Sequence, residues 1–343
     1  MVDQQNKYRN DHFMVDFVGE AQVDPAVYKK VQAGDVQLLY ISPESIIENP
    51  RYRDILLTPI YVNKLVAVVI DEAHCIKTWG DKFRRAFSKL GELRSLIPRG
   101  INVMALTATA TQHTYYIIKE RLSLEEPVLV SMSPIRNNIA YTVSPKVDVN
   151  EFCSTICAEL RAKRSNYPKT VIFVRTYSDC CTLYLTIRKK MGTDISEPIG
   201  SPEMSQFLLV DVFSRVCTQK KKEQIIESFK VTNSILRLII ATSAFGMGVD
   251  CPNIRRIYHW GSPSDVEEYA QETGRAGRDG KNSVVTLFSG KMGKHASQAM
   301  RSYVENSILC RQRLLFNKFL SYSEKDITVH GSNCCDICHL LAS

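Results

Sequence analysis

Leu65 to Ile70 is a run of six apolar residues, most of them β-branched, and two carboxylates, Asp71 and Glu72, follow it without a break. The run has no polar alternation, so it predicts a strand covered on both faces within a parallel sheet. In open α/β sheets ligands bind just beyond the carboxyl ends of the strands. An acid placed there can hold a Mg²⁺ that bridges nucleotide phosphates, and its neighbour can orient or deprotonate an attacking water. An isolated Asp-Glu pair is explained as well by a solvated turn capping a buried strand. The full string Asp71-Glu72-Ala73-His74 is narrower.

Other runs repeat the pattern. Val36–Ile41 is a short apolar run followed by Ser42-Pro43-Glu44-Ser45, and Ile101–Leu106 is another, ending in Thr107-Ala108-Thr109. Between them Trp79, Phe83, Arg84 and Phe87 lie among charges. Aromatics beside arginine can stack on bases of a single strand, or they can form the apolar stripe of a helix. Pro127–Met132 reads as strand-like, and Ser133-Pro134 as the linker between two domains. The second half alternates again. Lys169–Val174, Leu236–Ile240, Ile254–Tyr258 and Val284–Phe288 read as strands, with a helix at Asp179–Lys190 and two helices within Phe207–Phe229. The basic run Lys220–Lys222 reads as a solvated face. Alternating elements in both halves predict parallel sheets with helices on both faces.

With 343 residues, 44% hydrophobic and 23% charged, the chain can bury two cores and a small appendage. No apolar run approaches the roughly 18 residues of a membrane span, and the N-terminus is not signal-like. No membrane is therefore expected, and an intracellular location is: the nucleus in a eukaryote, otherwise the cytoplasm. Half of the net charge of +8 falls in residues 281–343, which favours an anionic partner. The 11 cysteines are scattered except for Cys334, Cys335 and Cys338. Scattered thiols suit a reducing compartment, and the cluster suits a metal.

The most specific stretch is Gln271–Gly280, QETGRAGRDG. Arg275 and Arg278 fall on one side of a helix-like turn, with glycines around them that leave them uncrowded. Planar, permanently charged guanidinium groups suit a γ-phosphate transition state. With this string the chain resembles the RecQ-type DNA helicases of superfamily 2 along nearly its whole length. Asp71 to Cys75 resembles their DEAH-type motif II, Thr107 to Thr109 motif III, and Ser133 to Ile139 (SPIRNNI) the entry to their second domain. Val171 to Arg175, Ala241 to Arg255 and Gln271 to Gly280 resemble motifs IV, V and VI.

The resemblance implies two RecA-like parallel-sheet domains, the first incomplete (residues 1–132), the second at residues 133–292, and a small helical zinc-binding subdomain at 293–343. It implies ATP with Mg²⁺, a structural Zn²⁺, and DNA that is single-stranded, branched or partly duplex, in repair, recombination or replication. Asp71 would hold Mg²⁺ and Glu72 would be the catalytic base. His74, Thr107 and Thr109 would couple the nucleotide to DNA, with Trp79, Phe83 and Arg84 in the aromatic loop. Gly248 and Asp250 would line the nucleotide cleft, Gln271 would orient motif VI, and Arg278 would be the arginine finger with Arg275 beside it. Cys310, Cys335 and Cys338 match the zinc piece. The family pattern puts its remaining cysteine near Ser332, so Cys334, His330 or His339 would have to serve.

Three departures limit the transfer. No G-x-x-x-x-G-K-[ST] phosphate loop is present, and the family's Walker A lies upstream of where this chain begins. The aromatic loop reads Asp81-Lys82 and Arg85-Ala86-Phe87 where the family has His-Asp and Pro-Glu-Tyr. Residues 191–229 lack the family's Tyr-His-Ala-Gly-Leu segment. An ATP-dependent 3′–5′ DNA helicase, here as an incomplete copy, is one expectation. A catalytically inactive DNA- or protein-binding module is the other.

Overall fold

The computed structural model describes residues 13–20, 22, 24–79, 85–202, 204–246, 251–290, 292, 296–320, 322 and 334–342, without the side chains of residues 78, 79, 244 and 246. The chain forms two compact units, Met1–Ser131 and Met132–Ser343. Among the described residues no helix is long and apolar enough to cross a membrane.

In the first unit β1 (Val15–Val18) pairs parallel with β2 (Leu38–Ile41), and β3 (Ala67–Ile70) pairs parallel with β4 (Asn102–Ala105). Among the described residues these are two separate two-stranded sheets. Ile70 and Ala73 pack with Ile46, Phe87, Leu93 and Ile118 in one core. β3 is not covered on both faces, contrary to the expectation from its apolar run. Only Ile70 is buried, while Val69 is 52% and its register partner Met104 54% exposed. The expected strand at Pro127–Met132 is likewise an irregular segment, with Val128, Val130 and Met132 almost fully exposed. Both corrections have one physical cause: the described residues provide no second layer and no partner strand for this apolar surface.

The second unit is built around a six-stranded parallel sheet. Its order is β5 (Ile139–Pro145), β10 (Ser283–Ser289), β9 (Arg256–Trp260), β6 (Thr170–Val174), β8 (Leu238–Ala241) and β7 (Val210–Phe213). β6 is buried at all five positions, as an unbroken apolar strand in a doubly covered sheet should be. Alternate residues feed two cores: Val171 and Phe173 face one, Ile172 and Val174 the other. Capping side chains start the crossover helices. Asp148 accepts the Asn150 amide ahead of Val149–Lys163, Thr176 the Asp179 amide ahead of Tyr177–Met191, and Asp265 the Glu268 amide ahead of Val266–Thr273. Phe207–Phe229 holds a strand and one helix, Gln219–Lys230, in place of two helices, because the alternation in Leu209–Phe213 joins the sheet edge. Lys221 in the basic run is not simply solvated: it reaches the buried Asp211 at 3.0 Å.

Candidate functional site

At the end of β3 the chain turns sharply. The Asp71 carboxylate accepts the Glu72 amide at 2.9 Å, and Glu72 sits at φ +50°, a left-handed conformation costly for a residue with a Cβ. The turn is stitched to the end of β4: Leu106 N–H donates to Ile70 C=O at 2.8 Å, and Ala73 N–H to Leu106 C=O at 2.9 Å. Thr107 is thereby brought to motif II. Its hydroxyl donates to Thr109 C=O at 3.0 Å and lies 3.2 Å from His74 Nδ1, which is 3.3 Å from the Glu72 carboxylate. His74 Nδ1 thus stands between the Thr107 hydroxyl and the Glu72 carboxylate. Asp71 is exposed and Glu72 partly so. The pair thus offers one exposed carboxylate and one in contact with a His–Thr link, an arrangement suited to holding a cation and orienting a water. Trp79 closes the helix Cys75–Trp79. Its side chain, Phe83, Arg84, Gly248 and Asp250 lie outside the described residues.

In the second unit motif VI runs from the helix Val266–Thr273 into a glycine-rich loop. The helix is anchored by two acids one turn apart. Glu268 takes Arg175, at the end of β6, in a two-pronged pair at 2.8 and 3.2 Å, and Glu272 takes His259 of β9 at 3.0 Å. Burial works to raise the Glu268 carboxyl, but the charge and hydrogen bonds of Arg175 outweigh it and hold Glu268 below its ordinary value. Glu272 is fully enclosed, and burial raises its carboxyl despite the opposing pull of His259. Phe173 stacks on the His259 ring, and among the described residues neither its Nδ1 nor Glu272 Oε1 has a hydrogen-bond partner. Gln271 is partly buried, Arg275 is 4% exposed and Arg278 is exposed. The two arginines are therefore not equally uncrowded, as their spacing had suggested: Arg275 is built in and Arg278 is presented.

The loop backbone is held from outside. Arg136 donates to Gly274 C=O at 3.0 Å and to Gly277 C=O, and Asn138 donates to Gly277 C=O at 2.7 Å and Lys281 C=O at 2.9 Å. Gly277 has φ +53°, and a Cβ there would stand 2.5 Å from the Asn138 amide nitrogen, so only glycine fits.

Residues 4–117 match the DEAD/DEAH box helicase family, and residues 151–280 match the helicase conserved C-terminal domain. The chain belongs to the DEAD/DEAH-box helicases. Within them it is homologous to RecQ-family DNA helicases. It is 27% identical over 344 residues to the RecQ-like DNA helicase blm-1 of Caenorhabditis elegans, covering 93% of this chain and 32% of that protein. It is 31% identical over 291 residues to the ATP-dependent DNA helicase RecQ of Pasteurella multocida, covering 84% of this chain and 42% of that one. The chain thus spans less than half the length of either relative. In fold it resembles the Mycobacterium smegmatis helicase Lhr bound to ssDNA and AMP-PNP, with a TM-score of 0.61 and 17% identity over 88% of this chain and 38% of that one.

Four cysteines of the second unit also come together. Cys310 immediately precedes the helix Arg311–Phe316, Cys334 and Cys335 meet it from the far end of the chain, and Cys338 lies in the helix Asp336–Ala342. Their four sulfurs lie within 4.8 Å of one another. A zinc tetrahedron with bonds of about 2.3 Å needs sulfurs roughly 3.8 Å apart, and Cys310 and Cys334 stand at 3.5 Å. Cys335 Sγ accepts the backbone N–H groups of Arg311 and Cys338, each at 3.4 Å, an environment that favours thiolate. Contacts with Cys310 and Cys334 hold the Cys335 thiol far below its ordinary value, while Cys334 is pushed up, first by its contact with Cys310. The donor set fits zinc, which when bound would cross-link the start of one helix to another and supply no reaction chemistry. Of the candidates for the fourth position, Cys334 is the one whose sulfur joins the cluster. His330 lies outside the described residues. His339 lines a groove of about 970 Å³ that also borders Cys335, Arg255 and Asn138.

Arg136, Asn138, Arg175, His259 and Glu272 were given no functional role by the sequence. The available signal was the pairing of acids at 268 and 272, one helical turn apart, beside the QETGR string.

Proposed function

We propose that this chain carries the motor elements of an ATP-dependent 3′–5′ DNA helicase of RecQ type, acting on single-stranded and branched or partly duplex DNA in repair, recombination or replication. The observation that carries this reading is the Glu72–His74–Thr107 link at a strand end, on a chain aligned with a RecQ-like DNA helicase over 93% of its length. In this reading Asp71 holds Mg²⁺, Glu72 activates water, and His74, Thr107 and Thr109 report the state of the nucleotide. Gln271 orients motif VI, Arg275 and Arg278 belong to the phosphate together with Gly248 and Asp250, and Trp79, Phe83 and Arg84 belong to DNA. The division into residues 1–132, 133–292 and 293–343, with zinc on Cys310, Cys334, Cys335 and Cys338, is part of the same proposal, as is a nuclear or cytoplasmic location.

A second reading has its own support. The residues given lack a phosphate loop, whose backbone N–H groups and lysine supply most of the affinity for a nucleotide in such enzymes. The exposed Val69–Met104 face and the exposed Val128, Val130 and Met132 also call for a covering layer. These residues by themselves would then be an incomplete copy of the motor, or an inactive DNA- or protein-binding module. ATP hydrolysis by the purified chain, with and without single-stranded DNA and beside Glu72→Ala, separates the two. DNA-stimulated turnover that disappears in Glu72→Ala supports the motor; none above that control, in folded zinc-loaded protein, supports the binding module.

A further inference from the structure

The cysteine cluster and the motif VI loop are joined by two side chains whose roles the sequence resemblance leaves unassigned. Gln312 is buried two residues beyond Cys310. Its Oε1 faces Cys334 Sγ at 3.5 Å, and its Nε2 donates to the carbonyls of Arg136 at 3.1 Å and Ile139 at 3.3 Å. Arg136 continues the path with its guanidinium on Gly274 and Gly277. The chain of contacts therefore runs from a sulfur, through one amide and one guanidinium, to the backbone on either side of Arg275.

We propose that Gln312 and Arg136 are positioning residues that convey the arrangement of the cysteine cluster to motif VI, so that metal-loaded and metal-free protein hold Arg275 and Arg278 differently. The inference rests on reading the cluster as a zinc site and motif VI as the source of the phosphate-facing arginines. Fixing four sulfurs in a tetrahedron fixes Cys310 and Cys334, the two ligands beside Gln312. As a thiol Cys334 donates to Oε1, and as a zinc-bound thiolate it has no proton to donate, so loading changes what faces one end of an amide whose other end holds two carbonyls. The fork of Arg136 spans two carbonyls three residues apart, which the single point charge of a lysine does not reproduce. Packing within one buried core would explain the proximity of these groups. It does not require a side chain from the cysteine-bearing helix to hold the residue that holds motif VI.

The test compares hydrogen–deuterium exchange over residues 274–280 in the full chain with Zn²⁺ bound and after chelation, for the unaltered protein, Gln312→Ala and Arg136→Lys. Zinc content is measured on the same samples. Zinc should slow exchange over 274–280 on the order of tenfold in the unaltered chain, the scale of one buried hydrogen bond. In both variants exchange should stay at the metal-free rate whether or not zinc is bound, with β6 and β8 unchanged. Zinc slowing the loop equally in the variants would overturn the proposal. So would acceleration spread across the whole sheet, or loss of the metal itself from both variants. ATP turnover separates this from the proposed function: a chain without turnover that keeps the zinc-dependent exchange counts against the motor and leaves the relay standing. Where turnover exists, Arg136→Lys should lower kcat about tenfold with KM for ATP within about twofold, and a change in KM alone would contradict a positioning role.

Discussion

The two units place their chemistry on unlike foundations. Motif VI follows a helix pinned to a six-stranded sheet whose β6 and β8 are buried at every position, and its left-handed loop positions are taken by Gly277 and Gly280. Motif II follows a strand in a two-stranded ladder with one apolar face open, and its left-handed position is taken by Glu72. One site is held by surrounding structure and relieved of strain. The other places a residue with a Cβ in a left-handed conformation, with less around it. The difference teaches that the second unit has what it needs for stability among the described residues, whereas the first has surface to spare for something further.

The largest expected effect tests that contrast directly. Ile172→Ala in β6 removes a fully buried side chain that packs between sheet and helices, and should cost about 2–5 kcal/mol in the second unit. Val69→Ala in β3 should stay within about 0.5 kcal/mol, because the side chain is half in water already. Denaturant unfolding monitored unit by unit by exchange checks both. Comparable costs would mean that the Val69 face is covered in solution, and the contrast between the units would fail.

A smaller effect probes how motif VI is pinned. Burial raises the Glu272 carboxyl, so over an interval above the ordinary glutamate value the folded chain keeps a proton that the unfolded chain has released. The contribution of this group is fully present below the ordinary value and is lost as pH rises through the raised one. Glu272→Gln should remove that loss, making the second unit more stable than the unaltered chain at pH 7.5, with the gap closing as pH falls towards the ordinary glutamate value. The groups facing Glu272 are His259, Glu268 and Arg175, and because the Arg175 charge works to lower the Glu272 carboxyl, Arg175→Met should enlarge the gain. Urea midpoints at pH 7.5 and near that ordinary value decide it. A gap that does not change with pH would show that Glu272 gains no proton on folding.

Much of this was legible in the chain. The unbroken apolar run of β6 announces burial on both faces, and the acid string and QETGRAGRDG stand out in the chain as candidate sites. The same reasoning failed for β3, whose run is as apolar as that of β6. Periodicity reports what a strand would bury, not whether a covering layer is at hand. The roles of Arg136 and His259 were not legible either: Arg136 holds Gly274 and Gly277 far along the chain, and His259 meets Glu272 only once helix and sheet are packed. Cys334 was one of three candidates in the sequence, and only the fold places its sulfur beside that of Cys310.

The smallest effect concerns Glu72 itself. Its side chain contributes a contact with His74, and its backbone sits where a Cβ is unwelcome, so one substitution cannot separate the two. Two can. Glu72→Ala removes the carboxylate and keeps the Cβ, and Glu72→Gly removes both. If the φ of +50° is strained, the glycine variant should be more stable than the alanine variant by about 1 kcal/mol, even though glycine pays more entropy on folding. Both should lack any DNA-stimulated ATP turnover. The difference between them, read from the exchange-monitored unfolding of the first unit, isolates the backbone from the side chain. Equal stabilities would mean that the bonds tying the turn to β4 absorb the conformation without cost. Motif II would then be as relaxed as motif VI, and the two units would differ only in how much surface each leaves open.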